Sequence, residues 1–209
     1  KLKETPYFGK VIFSDEDDCQ EEIYVGRYGL TKDATFESII IDWRAPIASL
    51  FYKGSLGPAT YKTPDGELSA DILARRQFVI KKGSLQGYFD SEVDVKDEIL
   101  QMILSSNSGE KLKDIVMTIQ QEQDDIIREE RMKVVVVNGV AGSGKTTIAL
   151  HRVAYLLYNY RQQLGNKVLV LGPNDIFVDY ISEILPTLGE SDVAEESFDG
   201  FAMKEIGLT

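Results

Sequence analysis

The 209-residue chain is 43% hydrophobic and 27% charged, the balance of an ordinary globular protein of one or two domains, which excludes wholesale disorder. Its net charge of -11 is spread evenly: residues 1–109 hold thirteen basic and eighteen acidic side chains, and residues 110–209 hold ten and sixteen. No basic half or stripe exists to meet a phosphate backbone, so any DNA or RNA contact is expected to be local or made by parts outside this sequence. No apolar run reaches the roughly 18 residues that span a bilayer, and no basic-then-apolar leader opens the chain. The single cysteine, Cys19, cannot close an internal disulfide, and a cytoplasmic setting is expected. The sequence begins at Lys1 without Met, and we expect an internal piece of a longer protein.

In chain order, the first hundred residues predict a β-rich unit. Tyr7–Phe13 and Ile23–Tyr28 are short runs of β-branched and aromatic residues. Ser38–Tyr52 is the longest apolar stretch, and Pro46, which cannot donate to a ladder, predicts two strands or an edge there. Thr60–Thr63 and Glu67–Ala70 flank Pro64-Asp65-Gly66, a turn in which proline presets φ and glycine accepts φ > 0. Gln77–Gly83 predicts a last strand and turn, and the series predicts a small antiparallel sheet or barrel.

The pattern changes near Asp97. Glu98–Leu104 has helical spacing, Ser105–Gly109 is a loop, and Ile115–Glu130 is helical again, with Ile119, Ile126 and Ile127 on one face. Val134–Val137 predicts a strand buried on both faces. A helix from Lys145 to about Gln163 follows, then a second buried strand over Lys167–Leu171. Asn174 is placed to cap a helix that carries Phe177, Ile181, Ile184 and Leu185 and that Pro186 helps to end. Strand, helix, strand, helix predicts a parallel α/β unit.

One motif dominates. Gly139-Val140-Ala141-Gly142-Ser143-Gly144-Lys145-Thr146 fits G-x-x-x-x-G-K-[ST] at every fixed position, between a predicted strand and a predicted helix. Glycines in such a loop let backbone N–H groups converge on phosphate oxygens at the positive end of the helix. Lys145 is expected to reach the β- and γ-phosphates of ATP and Thr146 to give its hydroxyl to Mg²⁺, with Thr147 next to it in the binding set. None of the residues after Thr146 forms an apolar strand ending in Asp or Glu, the usual holder of magnesium. Ile39-Ile40-Ile41-Asp42 has that shape but precedes the loop and belongs with the β-rich segment. Binding with little hydrolysis is therefore expected. Upstream, Gln123 could read adenine, because an amide both donates and accepts.

Thr118–Gln123 with Ile126-Ile127-Arg128 resembles the glutamine motif of superfamily 1 helicases. Thr147–Tyr158, Ile41–Ala48 (with Asp-Trp-Arg-Ala-Pro) and Tyr7-Phe8-Gly9 together resemble the HelD family, helicase-like ATPases of Gram-positive bacteria that bind RNA polymerase. The resemblance covers almost the whole chain. It implies a β-rich accessory domain over 1–98. It also implies, over 99–209, the N-terminal part of a first RecA-like P-loop ATPase domain with a parallel sheet. It implies ATP-linked displacement of polymerase from nucleic acid, with adenine contacted by Gln123, phosphate by Lys145 and metal by Thr146. Pro173-Asn174 lies where true helicases touch single-stranded DNA, but the threonine-rich form is absent. Two other readings stay open: a translocating DNA helicase of the UvrD and Rep type, and a nucleotide-gated protein-interaction module without turnover.

His151, the only histidine, is expected to pack or hydrogen bond. The acidic run 15–22 lacks the glycine and the terminal glutamate of a calcium loop and is expected to be a solvated loop or a docking face for a basic partner. Arg75-Arg76 form an ordinary charged pair, and Trp43 is assigned to the core. A monomer is expected, since no heptad seam or long apolar edge is evident.

Overall fold

The computed structural model describes residues 3–63, 66–90, 119–130, 134–165 and 167–207. Two compact units divide the chain, Lys1–Asp124 and Asp125–Thr209. The expected boundary after residue 98, the helix over Glu98–Leu104 and the loop after it lie outside the described residues.

The first unit is built on a seven-stranded sheet. Its strands are β1 (Gly9–Ser14), β2 (Gln20–Gly26), β3 (Leu30–Thr31), β4 (Ser38–Asp42), β5 (Gly57–Thr63), β6 (Gly66–Lys81) and β7 (Ser84–Asp90). The spatial order is β3-β4-β2-β1-β6-β5, with β7 also on β6. Burial alternates strictly along β1, with Val11 and Phe13 inward and Lys10 and Ile12 half-exposed, as a sheet with one covered face requires. Val25, Ile40, Trp43, Leu50, Ile72 and Val79 complete this core.

Three features depart from the sequence expectation. The pairing is not all antiparallel, because β2 and β4 run parallel through Val25–Ile41 and Gly26–Asp42. The two predicted runs Glu67–Ala70 and Gln77–Lys81 are one sixteen-residue strand, β6. It pairs with β5 over Gly66–Ile72 and with β7 over Arg76–Lys81, and β1 lies along Asp71–Gln77. A strand with three partners has no reason to break where its apolar pattern weakens. Third, Pro46 does not lead into another strand. It opens a 3-10 turn, Pro46–Ala48, that runs into the short helix α1 (Ser49–Tyr52). Proline's fixed φ and missing N–H suit the first helical position. All four residues of α1 are buried, and the Phe51 ring lies edge-on to Phe8 at 5.5 Å. Phe51 reaches the sheet because β1 opens on glycine: a Cβ on Gly9 would stand 2.3 Å from the Phe51 ring.

In the second unit, α2 (Gln121–Ile127), which begins just before the unit boundary, is followed by α3 (Lys145–Leu164), β8 (Leu169–Gly172), α4 (Asp175–Ile184), β9 (Ala194–Ser197) and α5 (Phe198–Glu205). Asn174 caps α4 as expected, its Oδ1 accepting from Phe177 N at 2.9 Å. A 3-10 turn, Leu185–Leu188, ends that helix with Pro186 inside it. β8 and β9 are parallel, joined across α4, with Leu169 opposite Ala194. Ser197, at the end of β9, caps α5 by accepting from Gly200 N.

The predicted strand over Val134–Val137 is corrected. Residues 134–140 form neither helix nor strand and join no ladder among the described residues, and Val134 and Val136 are 76% and 85% exposed. Leu169 and Leu171 on β8 are likewise exposed rather than buried on both faces. A β-branched run gains burial only when strands and helices cover it, and β8 pairs with β9 alone among the described strands. No helix among the described residues is long and apolar enough to cross a membrane.

Candidate functional site

The glycine-lysine-threonine loop follows the irregular residues 134–140 and turns, at Ala141–Gly144, into α3. Gly142 and Gly144 have φ of +81° and +80°, the left-handed region that costs other residues energy and glycine little. Gly139 is closely approached instead: a Cβ there would meet Ser143 Oγ at 2.6 Å, and the serine side chain would have to turn away. A bond from Ser143 N to Val140 O at 3.2 Å closes the turn.

Gly144 stands at the N-cap of α3, and no side chain accepts from the first turn. The helix start therefore presents backbone N–H groups without a side-chain cap, with the positive end of its dipole. Lys145 bends back across the loop, and its Nζ donates to Gly139 O at 2.9 Å and Val140 O at 2.7 Å. An ammonium carries three protons, and among the described residues these bonds use two of them to hold Lys145 over the loop. Thr146 and Thr147 follow on the first turn, half-buried.

Gln123 lies in the first turn of α2, where its Oε1 accepts from Gln120 N at 3.1 Å. Gln121 Oε1 accepts from Gly54 N at 2.8 Å, which ties the start of this helix to the chain after α1. Ile119 and Ile127 are buried, but so is Asp124, an acid on the face the apolar period had marked. Thr118 lies outside the described residues.

Sequence reasoning did not foresee how α3 holds the chain between α2 and the loop. Arg152 Nη1 donates to Ile126 O at 2.6 Å and Ile127 O at 3.3 Å. Tyr155 Oη donates to Glu130 Oε1 at 2.7 Å, and Arg128 lies over the Tyr155 ring at 5.2 Å. Arg152 and Tyr155 are three residues apart and so share a helix face. The distinctive His-Arg-Val-Ala-Tyr stretch carried that signal, but not the identity of its partners.

Tyr160 also bonds Glu130, at the residue where α3 departs from helical geometry. Burial first, and then Glu130, pushes the Tyr160 phenol up to about 12, and the same two causes raise Tyr155 further. An unfolded tyrosine loses its proton near pH 10. The folded state thus keeps protons that the unfolded chain has already lost. Their contribution is intact below pH 10 and is lost as pH rises through about 12. Between these limits the urea midpoint of the native chain is expected to fall more steeply than that of Tyr160→Phe. Parallel slopes for the two proteins would count against the Tyr160–Glu130 bond.

The remaining candidates have structural partners. His151 is buried, its Nδ1 2.7 Å from Thr147 O. Trp43 is fully buried. Asp42 is held by Arg44, with Nε on Oδ1 and Nη2 on Oδ2, both at 2.9 Å, and Arg44 N also donates to Oδ1. Both residues are about 5% exposed. Arg75 is not a free surface charge, since its Nη1 donates to the carbonyls of Phe51 and Lys53. Arg76 pairs with Asp90 and lies over the Tyr88 ring. The acidic loop is exposed, with Asp15 Oδ1 accepting from Asp17 N and Cys19 N. No group of metal-ligating side chains occurs among the described residues.

A β-rich sheet unit followed by an α/β unit whose first long helix opens on a glycine-lysine-threonine loop defines the class. The family model for the DNA helicase IV HelD N-terminal domain matches residues 1–103. The chain belongs to the HelD family. None of the curated proteins matches it.

Proposed function

We propose that this chain is the ATP-binding part of a HelD-type, superfamily 1 helicase-like ATPase that binds RNA polymerase and uses ATP to release it from nucleic acid. The α/β unit is read as the opening of a RecA-like P-loop domain over residues 99–209, behind the accessory domain at 1–98. The observation that carries the reading is Lys145 held across its own loop by Gly139 and Val140, over an N-terminus with no side-chain cap. That donor set fits a polyphosphate. The backbone of Gly139, Val140, Ala141, Gly142, Ser143 and Gly144 would surround the phosphates, Lys145 would supply charge, and Thr146 and Thr147 would close the set. Mg²⁺, bound with ATP, neutralises phosphate charge, and Thr146 is the residue that would hold it. Gln123 is assigned to adenine on the family resemblance.

Turnover by this chain alone is not expected. Asp42, the one acid with the right sequence shape, has both carboxylate oxygens on Arg44. For this chain that favours nucleotide-gated interaction over a catalytic cycle. The net charge of -11 favours a protein partner in the cytoplasm over a bare strand, and so disfavours a UvrD-type translocase. Titration of a fluorescent ATP analogue with Mg²⁺, with phosphate release followed in parallel, tests the reading. Saturable binding displaced by ATP and by tripolyphosphate, with negligible release, is expected. Absence of binding at millimolar nucleotide would overturn it.

A further inference from the structure

On the edge of β6 away from β1, the pairing with β5 ends at Ile72 and that with β7 begins at Arg76. Between these points the ladder with β1 slips. Ile12 faces Ala74 and Phe13 faces Ile72, so Leu73 is the extra residue of a β-bulge. The slip leaves both Leu73 and Ala74 exposed, where strict alternation would bury one of them. A notch of about 310 Å³ opens here, with Ile12 and Leu73 on its apolar side and Lys10, Arg75, Arg76 and Asp90 on its charged side.

Three cations and one acid thus line a notch in the half of the chain where acids outnumber bases, eighteen to thirteen. Lys10 and Arg76 stand opposite each other across β1 and β6. Each is steadied from the next strand outward, Lys10 by Glu22 at 2.7 Å and Arg76 by Asp90 at 2.6 Å. Arg75 donates to the carbonyls of Phe51 and Lys53, and burial pushes its guanidinium below the ordinary arginine value. A cation short of solvent gains from an anion brought beside it. The Asp90 carboxylate and the net charge of -11 repel a polyanion. A single carboxylate next to an apolar side chain instead matches both the cations and Leu73. Arg76 lies over the Tyr88 ring, and arginine and tyrosine are frequent anchors of protein contacts.

We propose that this notch in the β-rich unit docks an acidic segment of a partner protein, a carboxylate meeting Lys10, Arg75 and Arg76 while a neighbouring apolar side chain packs on Ile12 and Leu73. The inference concerns the β-rich unit alone and stands whether or not the chain binds nucleotide.

Fluorescence anisotropy of a dye-labelled peptide that alternates aspartate and leucine, titrated with the full chain, tests it. Saturable binding that weakens with added salt is expected, and none for the same peptide with asparagine in place of aspartate. Lys10→Gln and Arg76→Gln should each weaken binding about fivefold, as for one partly exposed ion pair. Leu73→Glu sets a like charge on the apolar side and should weaken it by more than about tenfold. All three side chains are at least partly exposed, so each variant should melt like the native chain, and if one fails to fold the other two decide. The inference is overturned if the aspartate peptide does not bind, if the asparagine peptide binds as tightly, or if affinity is unchanged in both glutamine variants or in Leu73→Glu. An oligothymidylate that binds more tightly than the peptide, and is lost in the two glutamine variants, would assign the notch to nucleic acid and overturn it. A native chain that dimerises in light scattering, with the dimer lost in Leu73→Glu, would assign it to a second copy and overturn it too.

Discussion

Replacing Lys145 by alanine is expected to weaken Mg–ATP binding by more than a hundredfold without unfolding the chain. The side chain reaches over its own loop to Gly139 and Val140, and these bonds use two of its three ammonium protons. A charge-assisted hydrogen bond to phosphate contributes about 1.5–3 kcal/mol, and the lysine faces two phosphates in the proposed complex. A loss of about 3 kcal/mol corresponds to somewhat more than two powers of ten in affinity. The loop should keep its shape, because Gly142 and Gly144 set its backbone and the Lys145 bonds are exposed. Lys145→Arg should rescue little, since a planar guanidinium cannot replace a compact ammonium spanning two carbonyls. Titration beside the native chain checks this, with a thermal melt of each variant to establish folding. Native affinity in Lys145→Ala would remove the loop from the binding site.

Asp42→Ala is expected to be the most damaging change in the β-rich unit, lowering its stability by about 3–5 kcal/mol. The pair Asp42–Arg44 sits at the end of β4, nearly excluded from solvent, with three bonds to the carboxylate. Removing the acid leaves a guanidinium buried with its charge uncompensated, which costs more than the pair itself contributes. The neighbouring Trp43, fully buried and bonded through its N to Gly26 O, would lose its support in the same step. Urea unfolding followed by tryptophan emission reads the effect directly, since Trp43 is the only tryptophan. Nucleotide affinity measured below the transition should be unaffected. A stable Asp42→Ala variant with impaired nucleotide binding would instead revive Asp42 as the magnesium acid.

The elements legible in the sequence were those whose causes are local. Glycines and a lysine at fixed spacing define the loop at 139–146, and a side-chain oxygen at Asn174 starts α4 at the next residue. β5 and β6 pair antiparallel with Thr63 opposite Gly66, as the runs on either side lead one to expect, while the turn residues Pro64 and Asp65 lie outside the described residues. These depend on φ preferences and on bonds a few residues long, which composition and spacing encode. Pairing depends on partners distant in the chain. Nothing local to Val25 or Ile41 makes β2 and β4 parallel, and nothing local to Glu67–Lys81 makes one strand of two apolar runs.

Burial behaved the same way. The four valines at 134–137 have the composition of a central strand, yet Val134 and Val136 face solvent because no ladder among the described residues covers them. The sequence alone determined that a glycine-lysine-threonine loop opens a helix behind a β-rich segment. Only the tertiary structure decided that Asp42 serves Arg44 and that Arg152 holds the end of α2. Residue type sets what a side chain is able to bind, but its partner is whichever group the packed chain brings within about 3 Å.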